Sequence, residues 1–309
     1  MLARTLRVSQ LLELAACLAL AAWWFRGRSD AMVMIAAATA AWFLGVRFLL
    51  VCASSISGWW HRSIPAPEQR IGAGGVVRMV LAEWRALLAF NLVHLPWERW
   101  LLGPDPVARP TSRVPVLLVH GYCANRGYFR PLLRRLQARG VGPVFAPNLP
   151  PCFTSIERCA EALGVEIERI AAGTGQSRVV LVAHSMGGLT ARAYLARRGA
   201  SHVARLITIA SPHHGTALAR MGWGESARQM RPGSAFLAAL ERAEGAAGPG
   251  VETVSFYSSH DNMVAPQVTS VLPWARNVAM PGFGHIAILD TPAIVELLMP
   301  ELEAAGVAP

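Results

Sequence analysis

The chain of 309 residues is long enough to bury a core without disulfide or metal staples, as one large domain or two modest ones. A hydrophobic fraction of 53% is high for a soluble protein and directs attention first to membrane segments. The net charge of +10 rests on 29 arginines and no lysine, scattered without a basic stripe or interleaved stacking aromatics, which argues against a nucleic-acid partner.

Residues 8–25, "VSQLLELAACLALAAWWF", and 31–53, "AMVMIAAATAAWFLGVRFLLVCA", are apolar runs joined by "RGRSD". Their lengths suit membrane-spanning helices, although the first carries Glu13 and the second Arg47. Arg47 stands near the end of its run, where a long side chain snorkels to the headgroups. Trp23, Trp24, Trp59 and Trp60 lie near the run ends, as an aromatic belt requires. The competing reading is a pair of buried soluble helices; a cleaved leader fits less well, because a second apolar run follows at once. Arg4 and Arg7 before the runs and Arg62, Arg70, Arg78 and Arg85 after them favour both termini in the cytoplasm, with the connection outside.

Residues 75–102 are apolar but interrupted by Arg78, Glu83, Arg85, Asn91 and His94, which suits an interfacial or domain-packing helix better than a third span. "GPDPVARPTSR" (103–113) reads as a linker. The expected organisation is therefore a helical membrane-anchor region over 1–110 and a catalytic domain over 111–309.

From Val114 short β-rich runs alternate with helical ones, the pattern of a mostly parallel sheet with helices on both faces. Strands are expected at 114–119, 141–147, 178–183, 203–210 and 251–258. Helices are expected at 128–140, 155–173 with Ser155 as cap, 187–199, and 291–306 with a disturbance at Pro300.

Ser185 sits in "AHSMGG", directly after an apolar strand and before a helix. A nucleophile on such a sharp turn needs small residues two before and two after it; Ala183 and Gly187 fill those positions. Further on, Asp261 lies just past a strand end in "SHDNMVAP", and His285 follows "NVAMPGFG". The expected roles are nucleophile for Ser185, proton carrier for His285, and orienting acid for Asp261. His260 is the rival base, but it leaves His285 without a task. Asp290 is the rival acid, better placed to begin the last helix. The backbone N–H groups of Tyr122, after "VLLVHG", and Met186 are the expected oxyanion donors, with His120 structural.

"VLLVHGY", "VVLVAHSMGGLTARAY", "ITIASPHHGT", "HDNMVAP" and "GFGHIAIL", in this order, resemble the bacterial α/β-hydrolases of the lipase/esterase group, triacylglycerol lipases among them, over residues 113–305. The resemblance implies an α/β-hydrolase fold, Ser185, Asp261 and His285 as a triad, Tyr122 and Met186 at the oxyanion hole, and an active-site border at 211–216. It departs from the usual acid motif by one extra residue before Pro266. The activity implied is hydrolysis of carboxylic esters through an acyl-enzyme, without metal or organic cofactor; the apolar first hundred residues lie outside the resemblance, and a membrane anchor there favours a hydrophobic ester delivered from the lipid bilayer. A thioesterase or amidase with the same triad, and a non-catalytic membrane scaffold, are the alternatives. Residues 217–250 are long enough for a small lid, in which Met221, Trp223 and Met230 either line an acyl site or pack on the sheet. The cysteines, Cys17, Cys52, Cys123, Cys152 and Cys159, have neither disulfide-scaffold nor zinc spacing, while a Cys152 bridge to Cys123 or Cys159 stays open.

Overall fold

The computed structural model describes residues 2–151 and 153–307, so a Cys152 bridge lies outside the described residues. Its first elements are two long apolar helices, α1 (Leu2–Trp24) and α2 (Ala31–Trp60), with few buried side chains. Both are long and apolar enough to cross a membrane. Helix α2 runs beyond the expected end at residue 53, which leaves Arg47 in its interior. Arg47 therefore does not reach outward: its guanidinium donates to both oxygens of Glu13 at 2.8 Å and to Asn91 Oδ1. Pairing Glu13 with Arg47 removes the cost of an isolated ion in the apolar stretch of either helix.

Helix α3 (Ala73–Leu88) follows, continues as a π turn (Ala89–His94), and leads to the short α4 (Glu98–Leu102). Ala86, Phe90 and Leu95 of this segment share one hydrophobic cluster with Val116, Leu118 and Tyr128. Residues 73–102 thus share a core with the sheet, the packing expected of a domain-packing helix over 75–102. Residues 103–113 are irregular, yet Asp105 pairs with Arg126 at 2.9 Å and Thr111 donates to the Thr174 carbonyl.

Among the described residues, six parallel strands form one sheet in the order β2-β1-β3-β4-β5-β6. They are β1 (Val116–Val119), β2 (Val144–Phe145), β3 (Val179–His184), β4 (Val203–Ile209), β5 (Thr253–Tyr257) and β6 (Arg276–Ala279). Alternate residues of β1 and β3 enter two separate cores: Val116, Leu118, Val180 and Val182 face one, Leu117, Val119, Leu181 and Ala183 the other. Burial on both faces explains why these strands read as continuous apolar runs. Helices α5 (Arg130–Ala138) and α10 (Pro292–Ala304) contribute Leu132, Leu136, Ile294 and Leu298 to the first core. Helices α6 (Ile156–Thr174) and α7 (Met186–Arg198) cover the other, Ser155 capping α6 by accepting from Arg158 N–H. Helix α10 runs through Pro300 rather than ending there. Residues 217–250 hold two small helices, α8 (Gly224–Gln229) and α9 (Ala235–Glu244).

Candidate active site

The carboxyl ends of β3, β5 and β6 open on one region, the usual location of sites in parallel sheets. Ser185 stands between β3 and α7 with φ 57° and ψ −128°, a left-handed conformation that a non-glycine residue adopts only under constraint. The constraint is visible: its N–H donates to the Ile209 carbonyl, its own carbonyl accepts from Gly188, and the strand before it is locked between β1 and β4. A Cβ on Gly187 would overlap the Val119 carbonyl oxygen, and one on Gly121 would lie 2.8 Å from Ser185 Cβ. Both glycines are thus required by close approach around the hydroxyl.

The structure brings the three expected side chains into one hydrogen-bonded line. Ser185 Oγ lies 3.0 Å from His285 Nε2, and His285 Nδ1 lies 2.9 Å from Asp261 Oδ2. The other oxygen of Asp261 accepts from Met263 and Val264 N–H at 2.7 and 2.8 Å, which fixes the carboxylate in the turn after β5. Asp261 and His285 are buried. Burial by itself lowers the basicity of the His285 ring, but the Asp261 carboxylate and, further off, Glu83 more than offset it, so its pKa stands above the ordinary value. A proton moving from hydroxyl to imidazole is therefore met by a ring that favours holding it.

The remaining expectations fall around this line. Tyr122 follows Gly121, and Met186 opens α7, where first-turn N–H groups lack intrahelical acceptors. Tyr122 OH donates to the Trp223 carbonyl at 2.6 Å and accepts from Trp223 N–H at 2.9 Å, tying it to the 217–250 segment. There Met230 is buried in the core, whereas Met221 and Trp223 are exposed. His120 is buried and pushed down to about 4 by that burial; Leu149 N–H donates to its Nε2, as suits a neutral structural ring. His260 Nδ1 accepts from Gly282 N–H instead of facing Ser185. Asp290 pairs with Arg135, and Thr291 caps α10. The 211–216 loop is held from beneath: Arg192 donates to the His213 carbonyl at 2.8 Å while paired with buried Glu244.

Three neighbours escape a reading of the sequence. His184 Nε2 lies 3.1 Å from the His285 carbonyl, and its ring centre is 4.8 Å from that of His285. Asn262 Oδ1 accepts from His285 N–H, and Glu83 reaches the same loop from α3. The adjacency of Asn262 to Asp261 and of His184 to Ser185 is visible in the chain, whereas Glu83 adjoins none of them. All three are joined to His285 by the fold.

The family described as "alpha/beta hydrolase fold" matches residues 114–244, a stretch that includes Ser185 and ends before Asp261 and His285. A triacylglycerol lipase of Pseudomonas fragi is 31% identical over 144 residues, 42% of this chain and 48% of that protein. A lysosomal thioesterase of Mus musculus is 30% identical over 142 residues, 43% of this chain and 45% of that protein. The chain spans less than half the length of these curated relatives. Among solved structures, a Bacillus licheniformis lipase in mature form superposes with a TM-score of 0.55 at 18% identity, covering 64% of this chain and 96% of that one. Aspergillus fumigatus lipase B gives 0.56 at 21% identity, covering 81% and 65%. At such identity the superpositions show the fold alone: the chain carries an α/β-hydrolase fold, with partial sequence similarity to triacylglycerol lipases and a thioesterase, and two long apolar helices precede its sheet.

Proposed function

We propose that the protein is a membrane-anchored serine hydrolase that cleaves carboxylic esters of hydrophobic acyl groups. The observation that carries this reading is the line from Ser185 Oγ through His285 to Asp261, at 3.0 and 2.9 Å, on a strained turn at the sheet's carboxyl edge. Ser185 Oγ attacks the ester carbonyl as His285 Nε2 takes its proton, and Asp261 stabilises the imidazolium without itself being protonated. The backbone N–H groups of Met186 and Tyr122 receive the oxyanion. Collapse of the tetrahedral intermediate expels the alcohol, protonated by His285, and leaves an acyl-enzyme on Ser185. Water, deprotonated by the same ring, then releases the acid. Side chains and backbone donors complete this chemistry, so no cofactor is assigned.

A hydrophobic acyl group is favoured by the exposed Met221 and Trp223 on the segment bonded to Tyr122. The bilayer is favoured by α1 and α2: Leu11, Leu12, Trp24, Met32, Leu49 and Trp60 are all exposed, an apolar surface that water tolerates poorly. Burying them in lipid, with the hydrolase domain on the cytoplasmic face, satisfies both the apolar surface and the flanking arginines. Two units follow, an anchor pair of helices and a hydrolase that begins near α3. A thioesterase is the second reading, favoured by the similarity to the mouse enzyme. Matched oxoester and thioester substrates of one acyl chain, assayed in detergent, separate the two: a higher kcat/KM for the oxoester supports the first reading, and a thioester preference of tenfold or more overturns it.

A further inference from the structure

Three consecutive backbone N–H groups of the loop carrying His285 are bound by side chains. His285 N–H donates to Asn262 Oδ1 at 2.9 Å, Ile286 N–H to Glu83 Oε1 at 3.0 Å, and Ala287 N–H to Glu83 Oε2 at 2.8 Å. Glu83 comes from α3, about two hundred residues earlier in the chain, and is buried. A side chain on Gly284 would overlap Glu83 Oε2, so the loop leaves a slot for this carboxylate. Asn262 in turn donates to Ser54 Oγ of α2 at 2.8 Å, and Gly58 of α2 lies against the Asn262 backbone. The loops bearing Asp261 and His285 are both braced from the N-terminal helices.

Among the described residues, Glu83 has no arginine or lysine partner. A buried carboxylate without a cation costs stability, and an apolar residue in α3 would avoid that cost. The ionisable groups around it are His285, Asp261 and Tyr128, with the His184 ring packed against those of His285 and Tyr128. Only His285 among these gains by becoming positive during the reaction.

We propose that Glu83 is a positioning residue for His285: its carboxylate fixes the 285–287 turn and supplies a second negative charge near the ring, so a competent site requires α3. The proposal rests on the triad reading above. Burial raises the Glu83 pKa and the two backbone N–H donors offset part of the rise. Both oxygens accept from backbone N–H groups, as those of an ionised carboxylate do.

The test uses the full-length protein in detergent and follows kcat and kcat/KM against pH for Glu83→Gln and Glu83→Asp beside Ser185→Ala. His285 must be neutral to accept the Ser185 proton, so activity rises as pH passes its pKa. The Glu83 charge raises that pKa; removing the charge moves the acidic limb to lower pH. Glu83→Gln is expected to lose kcat about 10- to 100-fold with KM little changed, as misplacement of a catalytic group does, and to shift the limb downward. Glu83→Asp, which keeps the charge but withdraws it by one methylene, is expected to lose less kcat and shift the limb less. A loss of kcat with an unmoved limb in Glu83→Gln reduces the residue to a cap for the turn and overturns the proposal. If Glu83→Gln does not fold, wild-type kcat and an unmoved limb in Glu83→Asp overturn it equally. An active Ser185→Ala instead removes the triad reading, an outcome distinct from both.

Discussion

Replacing Asp261 by Asn tests the electrostatics of the site with little change of shape. The carboxylate is fully committed: Oδ1 accepts from Met263 and Val264 N–H, and Oδ2 faces His285 Nδ1 at 2.9 Å. An asparagine NH2 must point either at the two backbone donors or at Nδ1. The first clashes donor against donor. The second forces the ring to carry its proton on Nε2, where it cannot accept from Ser185. The lost charge is itself large: a unit pair at 2.9 Å and an effective dielectric of about 20 is worth about 6 kcal/mol. At about 1.4 kcal/mol per tenfold, kcat should fall about 10,000-fold. With the carboxylate gone, burial dominates the ring, so the His285 pKa drops and the acidic limb of any residual kcat/KM moves to lower pH. Hydrolysis of a chromogenic ester across pH, with thermal unfolding as a check on folding, gives both numbers. A folded Asp261→Asn variant within tenfold of wild type, its acidic limb in place, would refute the reasoning.

His260→Ala should keep kcat within about threefold, because that ring accepts from Gly282 N–H and does not touch Ser185; a dead variant beside an active His285→Ala would exchange the two histidines' roles. Phe90→Ala should cost about 3–5 kcal/mol of stability, read by denaturant unfolding, because Phe90 is buried against the ring of Tyr128 in the core of the hydrolase. An unchanged midpoint would detach residues 73–102 from that core. The full-length protein should stay in the membrane fraction through high-salt and carbonate washes, since hydrocarbon burial is insensitive to screening; its appearance in the wash would end the anchor reading.

The sheet was legible in the sequence where burial on both faces makes a strand a continuous apolar run, as in β1 and β3, and still legible in β4 and β5, whose runs hold Arg205 and Ser255 among β-branched and aromatic residues. Strand β6 was not: it is an edge strand that begins with exposed Arg276, and its Asn277 is spent on the Leu272 and Ala275 carbonyls. Ser185, Asp261 and His285 were legible because each follows closely on a strand or turn that has its own chemical signature. Glu83 was only an interruption in an apolar helix, because its partners, Ile286 and Ala287, are set by tertiary packing. The Glu13–Arg47 pair was hidden in the same way: each charge looks like a flaw in its own helix, and the pairing appears only when the helices lie side by side.

The central claim is that Ser185 is the nucleophile, and covalent capture reads it directly. A fluorophosphonate should phosphonylate Ser185 in the full-length protein, with the adduct mapped to that residue by mass spectrometry and abolished in Ser185→Ala along with ester hydrolysis. An adduct on any other residue, or undiminished labelling and hydrolysis in Ser185→Ala, would contradict the account.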